Sequence, residues 1–459
     1  MTRPARRRAS SLLLFSLAIV VAAALAVPAT AAATLQTRIT TILAAHGFAG
    51  GASGTRVYDL STHRLLYSRH PGTTLAPASN EKLVTSATAL ARWGADHRFT
   101  TQLYTTGTLD ADGVLHGRLY LKGRGDPTLS TAWFQRNVLH LRTSNLQDFV
   151  TALKNAGVKK VAGRVVGDEG YFDKARTVGW WKPGMADDCG PLSALSLNEG
   201  VGAKGNRVSN PPMWVVTKLT QLLRSSDIAV TRGPMLGVTP KSATLAYTER
   251  SAPLGKILAR LNKPSDNFIA EMLTKGLGAA FGGAPTTAAG CRVETTFLVK
   301  RGLKASSFRL TDGSGLSYYD RLTAAGVTRL LRAMAERKDW ATYWGSLAVA
   351  GYDGTLKDRM RGTLAARNLH GKTGTLNIAS CLSGYVTSAN GHRLVFSMLM
   401  NAGWIDVGAA HAAQDAIGAL LARTKPAGAI VWTPPVTTTE TPLATPPATP
   451  AAAASAVSP

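Results

Sequence analysis

The chain is poor in cysteine, and the motifs of several enzyme classes are missing from it. Three cysteines in 459 residues are too few for a disulfide scaffold, and their spacing matches no metal site. Cys381 is expected to be a buried apolar residue, which leaves Cys189 and Cys291 as a candidate disulfide. The sequence contains neither HExxH nor Gly-x-Ser-x-Gly, which disfavours a zinc protease and an α/β-hydrolase. We expect no metal and no cofactor.

Acidic residues are also scarce. There are 27 aspartates and glutamates against 52 lysines and arginines, so the formal net charge is +25. A surface this basic suits an acidic polymer, and charge alone allows nucleic acid, an anionic membrane or an anionic cell wall.

Long apolar runs are absent after the N-terminus. Basic residues 3–8 precede an apolar stretch from Leu12 to Val27 and small residues at 29–33, a pattern that predicts a secretory signal peptide over residues 1–33. The alternative is an uncleaved membrane anchor. Export to the periplasmic or cell-wall space disfavours nucleic acid as a partner and favours electrostatic association with the anionic wall. The Thr/Pro/Ala-rich residues 433–459 predict a disordered tail.

Ser79 and Lys82 form the first candidate catalytic pair. Apolar residues recur at helical spacing from Leu83 to Ala91, so Ser79 is expected in the first turn of a helix, with Lys82 projecting from the same face. A serine hydroxyl becomes a good nucleophile when a base takes its proton, and a lysine can be that base if its pKa is lowered. Taken alone, the pair also fits a helix-capping serine followed by a solvated lysine.

Two further sequence triplets favour a catalytic interpretation of the Ser79–Lys82 pair. Ser265-Asp266-Asn267 precedes an apolar helical pattern, and Lys372-Thr373-Gly374-Thr375 precedes an apolar strand pattern through Ile378, Leu382 and Tyr385. In this order, S-x-x-K, S-D-N and K-T-G form the signature of penicillin-binding proteins and serine β-lactamases.

Further motifs narrow the resemblance. With these triplets, the chain resembles the D-alanyl-D-alanine carboxypeptidase/endopeptidase family, the class C low-molecular-mass penicillin-binding proteins, over roughly residues 50–422. The additional motifs are Gly125-Asp126-Pro127-Thr128-Leu129, Ala194-Leu195-Ser196-Leu197-Asn198-Glu199, Asp312-Gly313-Ser314-Gly315-Leu316-Ser317 and Tyr352-Asp353-Gly354-Thr355-Leu356. The family pattern leads us to expect an arginine where Tyr318 stands, so the preference for the peptide side chain is expected to differ.

The resemblance implies an α+β fold: a penicillin-binding-protein/β-lactamase-like transpeptidase domain, with an antiparallel sheet flanked by helices and an inserted α+β domain. We expect residues 34–95 and 251–425 to form the two segments of the transpeptidase-like domain, and residues 96–250 to form the insertion.

The resemblance also implies a substrate, peptidoglycan stem peptides ending in D-Ala-D-Ala, and inhibition by β-lactam antibiotics. Ser79 would be the nucleophile, Lys82 its base and Ser265 a proton relay, while Asn267 would bind the substrate amide. Lys372 would keep Lys82 neutral by like-charge repulsion and, with Thr373, Gly374 and Thr375, would bind the terminal carboxylate. Asp126 would recognise a stem-peptide amine, or is simply a turn-capping carboxylate.

Three functions remain open from the sequence. The first is a D-Ala-D-Ala peptidase, and the second is a serine β-lactamase that uses the same serine. For the second, the E-x-x-L-N element of one β-lactamase class is absent, because Ala194 stands at the position of its glutamate. The third is a catalytically silent wall-binding protein, which the intact motifs disfavour.

Overall fold

The computed structural model describes residues 1–2, 33–202, 205–432 and 435. The predicted signal peptide and the predicted tail therefore fall almost entirely outside the described residues. The helices of the described part are α1 (Leu35–Ala45), α2 (Lys82–Trp93), α3 (Ala132–Phe134), α4 (Leu146–Asn155), α5 (Pro211–Ser225), α6 (Leu254–Asn262), α7 (Asn267–Phe281), α8 (Thr287–Lys300), α9 (Ala324–Ala335), α10 (Trp340–Gly345) and α11 (Val407–Arg423).

The strands belong to three sheets. In chain order they are β1 (Ser53–Asp59), β2 (Arg64–Arg69), β3 (Thr100–Thr105), β4 (Thr108–Leu109), β5 (Val114–His116), β6 (Leu119–Gly123), β7 (Lys160–Val161), β8 (Val165–Asp168), β9 (Ala229–Val230), β10 (Met235–Leu236), β11 (Thr244–Arg250), β12 (Ala348–Val349), β13 (His370–Leu376), β14 (Ala379–Thr387) and β15 (Arg393–Asn401).

The largest sheet is antiparallel throughout and has the strand order β12-β13-β14-β15-β1-β2. Strands β14 and β15 are buried along almost their whole length, because apolar residues point to both faces and helices cover each face. One face packs against α1 and α11, and the other packs against a core that includes α2, α6, α7 and α9. The expected antiparallel sheet flanked by helices is confirmed.

Helix α2 runs through the middle of this second layer. Every residue from Lys82 to Leu90 is buried, so the helix is enclosed on all sides rather than along one stripe. Tyr343 in α10 donates a hydrogen bond from its hydroxyl to the carbonyl of Leu83 at 3.1 Å. Because neighbours surround it, α2 holds its first turn in a fixed position against the sheet.

Residues 100–250 form the two smaller sheets, with the strand orders β10-β8-β6-β3-β11 and β4-β5-β7-β9. Helices α4 and α5 pack on them around a core of their own. The described chain from Leu35 onward nevertheless clusters as one compact unit, and the division at residues 96 and 251 stays a prediction.

The predicted Cys189–Cys291 disulfide is wrong. All three cysteines are free and buried. Cys189 packs with apolar side chains such as Phe268 of α7, whereas Cys291 lies on α8 with its sulfur 3.8 Å from the carbonyl oxygen of Asp312. Each thiol therefore serves as a small apolar group in a separate environment, as was expected for Cys381.

Candidate active site

Ser79 lies where the chain enters α2. A single 3-10 turn, Ala78–Glu81, leads directly into α2. Ser79 therefore lies in this tighter turn just before the helix, and not in the first turn of the helix as the sequence predicts. Ala78 is buried and has a φ of 46°, a left-handed conformation that an L-residue adopts only when its surroundings hold it there. The turn fixes the direction in which the Ser79 hydroxyl points.

Lys82 is fully buried and donates three hydrogen bonds from Nζ. The acceptors are Ser79 Oγ at 2.9 Å, Asn267 Oδ1 at 2.6 Å and the carbonyl oxygen of Ser314 at 2.6 Å. Burial lowers the pKa of Lys82 to about 8, against the opposing effect of nearby carboxylates, chiefly Asp312. A lysine with this pKa is partly neutral near pH 7 and lies within reach of the Ser79 proton, as a general base must.

The S-D-N triplet approaches from the start of α7. Asp266 caps this helix by accepting a hydrogen bond from the backbone amide of Ile269 at 2.9 Å. The cap places Asn267 at the first helical position, where its Oδ1 meets Lys82 and its Nδ2 donates to the carbonyl of Asp188 at 2.9 Å. Ser265 precedes the cap with a φ of 69° and lines the same cleft as Ser79.

The K-T-G triplet lies inside β13 rather than before the strand pattern, and Ile378 falls in the turn that follows. Neighbouring strand β12 pairs only with His370 and Gly371, so beyond them no described strand pairs with β13 on that side. Gly374 packs against the Ser79 turn so closely that a Cβ atom would lie 2.8 Å from the Ser79 nitrogen. The glycine is thus required for contact between the strand and the turn that carries Ser79.

A cleft of about 500 Å³ joins these elements. Its walls come from the Ser79 turn, the S-D-N triplet, the β13 edge and two loops. The lining residues are Ser79, Met185, Asp188, Ser265, Asn267, Leu316, Tyr318, Thr355, Thr373, Gly374, Thr375, Leu376 and Asn377. Three separated motifs of the sequence therefore meet at one opening.

Lys372 does not line this cleft. Its side chain is fully buried, and Nζ donates to the carbonyl oxygen of Thr373 at 2.8 Å. Burial, and then the charge of Lys82, lower the pKa of Lys372 well below its ordinary value. The expected repulsion between the two lysines therefore lowers the pKa of Lys372. The lowered pKa of Lys82 has a different cause, which is burial.

Asp126 is not brought into the cleft either. Its carboxylate is 2% exposed and accepts hydrogen bonds from the Thr128 backbone and hydroxyl and from the Ser144 hydroxyl. Burial raises the pKa of this carboxyl group despite these bonds. The turn-capping interpretation accounts for its contacts.

Sequence reasoning assigned no role to several groups that the fold places at the site. Ser314 supplies a backbone carbonyl to Lys82, and the Thr355 hydroxyl lies 2.7 Å from that of Thr373. Both lie in motifs that carried the family resemblance, which was the available signal. The same holds for Asn80, which lies inside the S-x-x-K motif and whose Nδ2 donates to the Lys372 carbonyl at 3.1 Å.

Buried carboxyl groups lie behind the nucleophile turn. Glu81, Glu271 and Glu294 are fully buried, and burial raises the pKa of each, to about 8 for Glu271 and Glu294. In the described part of the chain, no group of three or more histidine, cysteine, aspartate or glutamate side chains is arranged to hold a metal ion.

Comparisons with known proteins identify the family of this chain. The model of the D-Ala-D-Ala carboxypeptidase 3 (S13) family matches residues 35–204 and 202–424. A D-alanyl-D-alanine carboxypeptidase from an Actinomadura species is 31% identical over 470 residues, covering 84% of each protein. Carboxypeptidase DacB of Mycolicibacterium smegmatis is 28% identical over 360 residues, covering 75% of each.

The fold is also found among solved structures. Penicillin binding protein 4 (dacB) from Haemophilus influenzae superposes with a TM-score of 0.68 at 20% identity, covering 81% of this chain and 96% of that one. That superposition shows that the two proteins share a fold. Family membership is shown by the match to the family model and by the relative that is 31% identical. The chain therefore belongs to the D-Ala-D-Ala carboxypeptidase 3 (S13) family of serine peptidases.

Proposed function

We propose that this protein is a serine-type D-Ala-D-Ala carboxypeptidase/endopeptidase that cleaves peptidoglycan stem peptides through an acyl-enzyme and is acylated by β-lactams. The observation that carries the proposal is the 2.9 Å contact between Lys82 Nζ and Ser79 Oγ at the wall of the cleft. A pKa of about 8 lets a fraction of Lys82 be neutral near pH 7 and accept the Ser79 proton.

Acylation begins when Ser79 Oγ attacks the carbonyl carbon between the two D-alanines. The proton of the hydroxyl passes to Lys82, and the carbonyl oxygen becomes an oxyanion. The backbone N–H groups of Ser79 and Thr375 would stabilise that oxyanion, a contribution of about 2.7–4 kcal/mol per donor in other acyl-transfer enzymes. The unpaired edge of β13 beside the nucleophile turn supports this assignment of Thr375.

The leaving D-alanine needs a proton on its nitrogen as the C–N bond breaks. Ser265 lines the cleft together with Ser79 and Asn267, so its hydroxyl would donate this proton to the amine. Asn267 would also bind the substrate amide. A water molecule then attacks the ester of Ser79, which releases the shortened peptide and restores the hydroxyl.

Thr373 and Thr375 would hold the terminal carboxylate of the substrate. Thr373 lines the cleft, and its hydroxyl is oriented by Thr355. Lys372 is buried beside Thr373 and does not line the cleft, so it would support this site without contacting the carboxylate directly. Leu316 and Tyr318 would face the substrate from the rim.

The test uses a fluorescent penicillin and a peptide ending in D-Ala-D-Ala. Wild type is expected to label covalently at Ser79 and to release D-alanine, whereas Ser79→Ala does neither. The matched control is Ser68→Ala, because Ser68 is an exposed serine on β2 outside the cleft. Rapid release of hydrolysed penicillin would favour the β-lactamase alternative, and an inert wild type would favour the silent wall-binding protein.

We further infer that the protein acts outside the cytoplasm and associates with an anionic cell wall. The support is the signal-like pattern of residues 1–33 and the net charge of +25. None of the helices described by the structure is both long and apolar enough to cross a membrane. Fractionation of expressing cells tests export, and elution from isolated walls by rising salt tests the electrostatic association.

A further inference from the structure

A second cavity, of about 240 Å³, lies between β1, α9 and the loop after α8. Arg56 and Tyr58 are two residues apart on β1 and so share one face of the strand, while Arg329 and Arg332 are one turn apart on α9. All four line the cavity, and Lys304 joins them from the loop. We call these residues the arginine pocket.

The charges of the arginine pocket are left uncompensated. Across the described residues, the guanidinium groups of Arg56 and Arg332 make no hydrogen bond and no ion pair, and the Nε of Arg56 is buried without a partner. Arg332 lies over the ring of Tyr58 at 3.7 Å, and Arg329 donates from Nε to the Arg301 carbonyl at 3.0 Å. None of the described residues that line the arginine pocket is an aspartate or a glutamate.

Gathering like charges in this way is unfavourable. Burial lowers the pKa of Arg56, and the charges of Arg332 and Arg329 lower it further, because each of these two guanidinium groups repels that of Arg56. An anion between them would remove this repulsion, and the planar guanidinium fork binds oxyanions through paired hydrogen bonds.

We propose that the arginine pocket binds a phosphate group, as a phosphomonoester or a phosphodiester. A carboxylate offers one charge and two oxygens, enough for one guanidinium fork. A phosphate presents its oxygens in a tetrahedral arrangement rather than in one plane, so forks on different sides of the cavity can reach it, and as a monoester it also carries a charge close to −2. The small cavity suits the phosphate and a short substituent.

The arginine pocket is separate from the catalytic cleft. The two sets of lining residues have no member in common. Strands β14 and β15 lie between β13 and β1, a lateral separation of about 14 Å at the usual strand spacing. A bound phosphate therefore leaves the cleft open, and a phosphate-containing polymer held here would keep the enzyme on a surface while it works.

The experiment is isothermal titration of the full chain in low-salt buffer with inorganic phosphate, glycerol phosphate, glycerophosphoglycerol and acetate. The test variant is Arg329→Gln/Arg332→Gln. The control is Arg38→Gln/Arg64→Gln, which removes the same charge from two exposed positions outside the pocket. We expect wild type and control to bind phosphate alike, and the test variant to bind at least tenfold more weakly.

Release of D-alanine from a small peptide is measured for all three proteins and is expected to be equal, which shows that the test variant is folded. If the test variant does not fold, Arg329→Lys/Arg332→Lys replaces it, because lysine keeps the charge but loses the fork. Comparison of glycerol phosphate with glycerophosphoglycerol distinguishes monoester from diester. Equal weakening in the control, acetate binding as tight as phosphate, or no phosphate binding by wild type would each overturn the proposal.

Discussion

Glu271 Oε1 accepts a hydrogen bond from the backbone nitrogen of Ser314 at 2.8 Å. The carbonyl oxygen of Ser314 in turn accepts a hydrogen bond from Lys82 Nζ at 2.6 Å. The same carboxyl oxygen also accepts from the amide of Gly313 at 3.0 Å. Glu271 therefore holds the loop whose carbonyl orients Lys82, although its side chain does not line the cleft.

Glu271 is predicted to be a positioning residue. Its pKa of about 8 means that it is largely protonated at pH 7, and glutamine has the same shape and the same acceptor oxygen. Glu271→Gln should acylate with penicillin at close to the wild-type rate. Glu271→Ala leaves two buried amides without a partner, at about 1–3 kcal/mol each, and should acylate at least tenfold more slowly. Equal loss in the two variants would contradict the positioning role.

The rate of acylation is predicted to rise with pH through about 8. Lys82 accepts a proton only when neutral, and the neutral fraction grows as the pH passes its pKa. Stopped-flow labelling by fluorescent penicillin between pH 6 and 9.5 should show a rise and then a plateau. Lys82→Met should be acylated about 10²–10⁴-fold more slowly, and its acylation rate should no longer rise with pH. A rate that is flat in wild type would exclude Lys82 as the base.

Gly374→Ala is predicted to damage the nucleophile turn. The new Cβ would lie 2.8 Å from both the Pro77 carbonyl and the Ser79 nitrogen, so strand and turn must separate. Overpacking of this kind costs about 1–3 kcal/mol, and we expect a lower melting temperature with at least tenfold slower acylation. Gly403→Ala is the control, since nothing lies within 4 Å of its Cβ position. If Gly374→Ala keeps the wild-type melting temperature and acylation rate, the turn can move to accommodate the extra carbon and the prediction is wrong.

Buried Glu294 is predicted to make the protein less stable as the pH rises from about 4.5 to 8. Burial raises its pKa from 4.5 to about 8, so over this range the folded state keeps a proton that the unfolded state has lost. The free energy of unfolding must then fall with pH. Urea denaturation at pH 5, 6, 7 and 8 should show a shallower fall for Glu294→Gln than for wild type. The control, exposed Glu336→Gln, should keep the wild-type slope, and an unchanged slope in Glu294→Gln would refute the assignment.

Much of the fold was predictable because it depends on local patterns. Local patterns alone predict a helix over residues 34–45, a hairpin of strands 55–59 and 64–67, a helix at about 146–157 and a strand at 164–168. Helix α1, the β1–β2 hairpin, helix α4 and strand β8 form within a few residues of these bounds. Spacing along one helix also brings Lys82 beside Ser79, since residues three apart share a face. The family was predictable for another reason: its motifs are short, ordered and specific.

The rest depended on which distant segments pack together. Sequence order could not show that Cys189 and Cys291 lie in separate environments, or that the Asp126 carboxylate is used inside a turn. The electrostatics of the site are also tertiary, because a pKa depends on burial and on charges from other elements. Thus Lys82, Lys372 and Glu271 acquire lowered or raised pKa values only once the sheet and helices enclose them.

The sequence by itself determined the candidate catalytic pair, the family and the basic charge of this protein, because each depends on neighbouring residues, on short motifs or on composition. The tertiary structure decided which carbonyl orients Lys82, which residues line the cleft and which arginines meet in the arginine pocket. Those relationships join residues more than two hundred positions apart, such as Lys82 with Ser314 and Arg56 with Arg329, and chain folding alone brings them together.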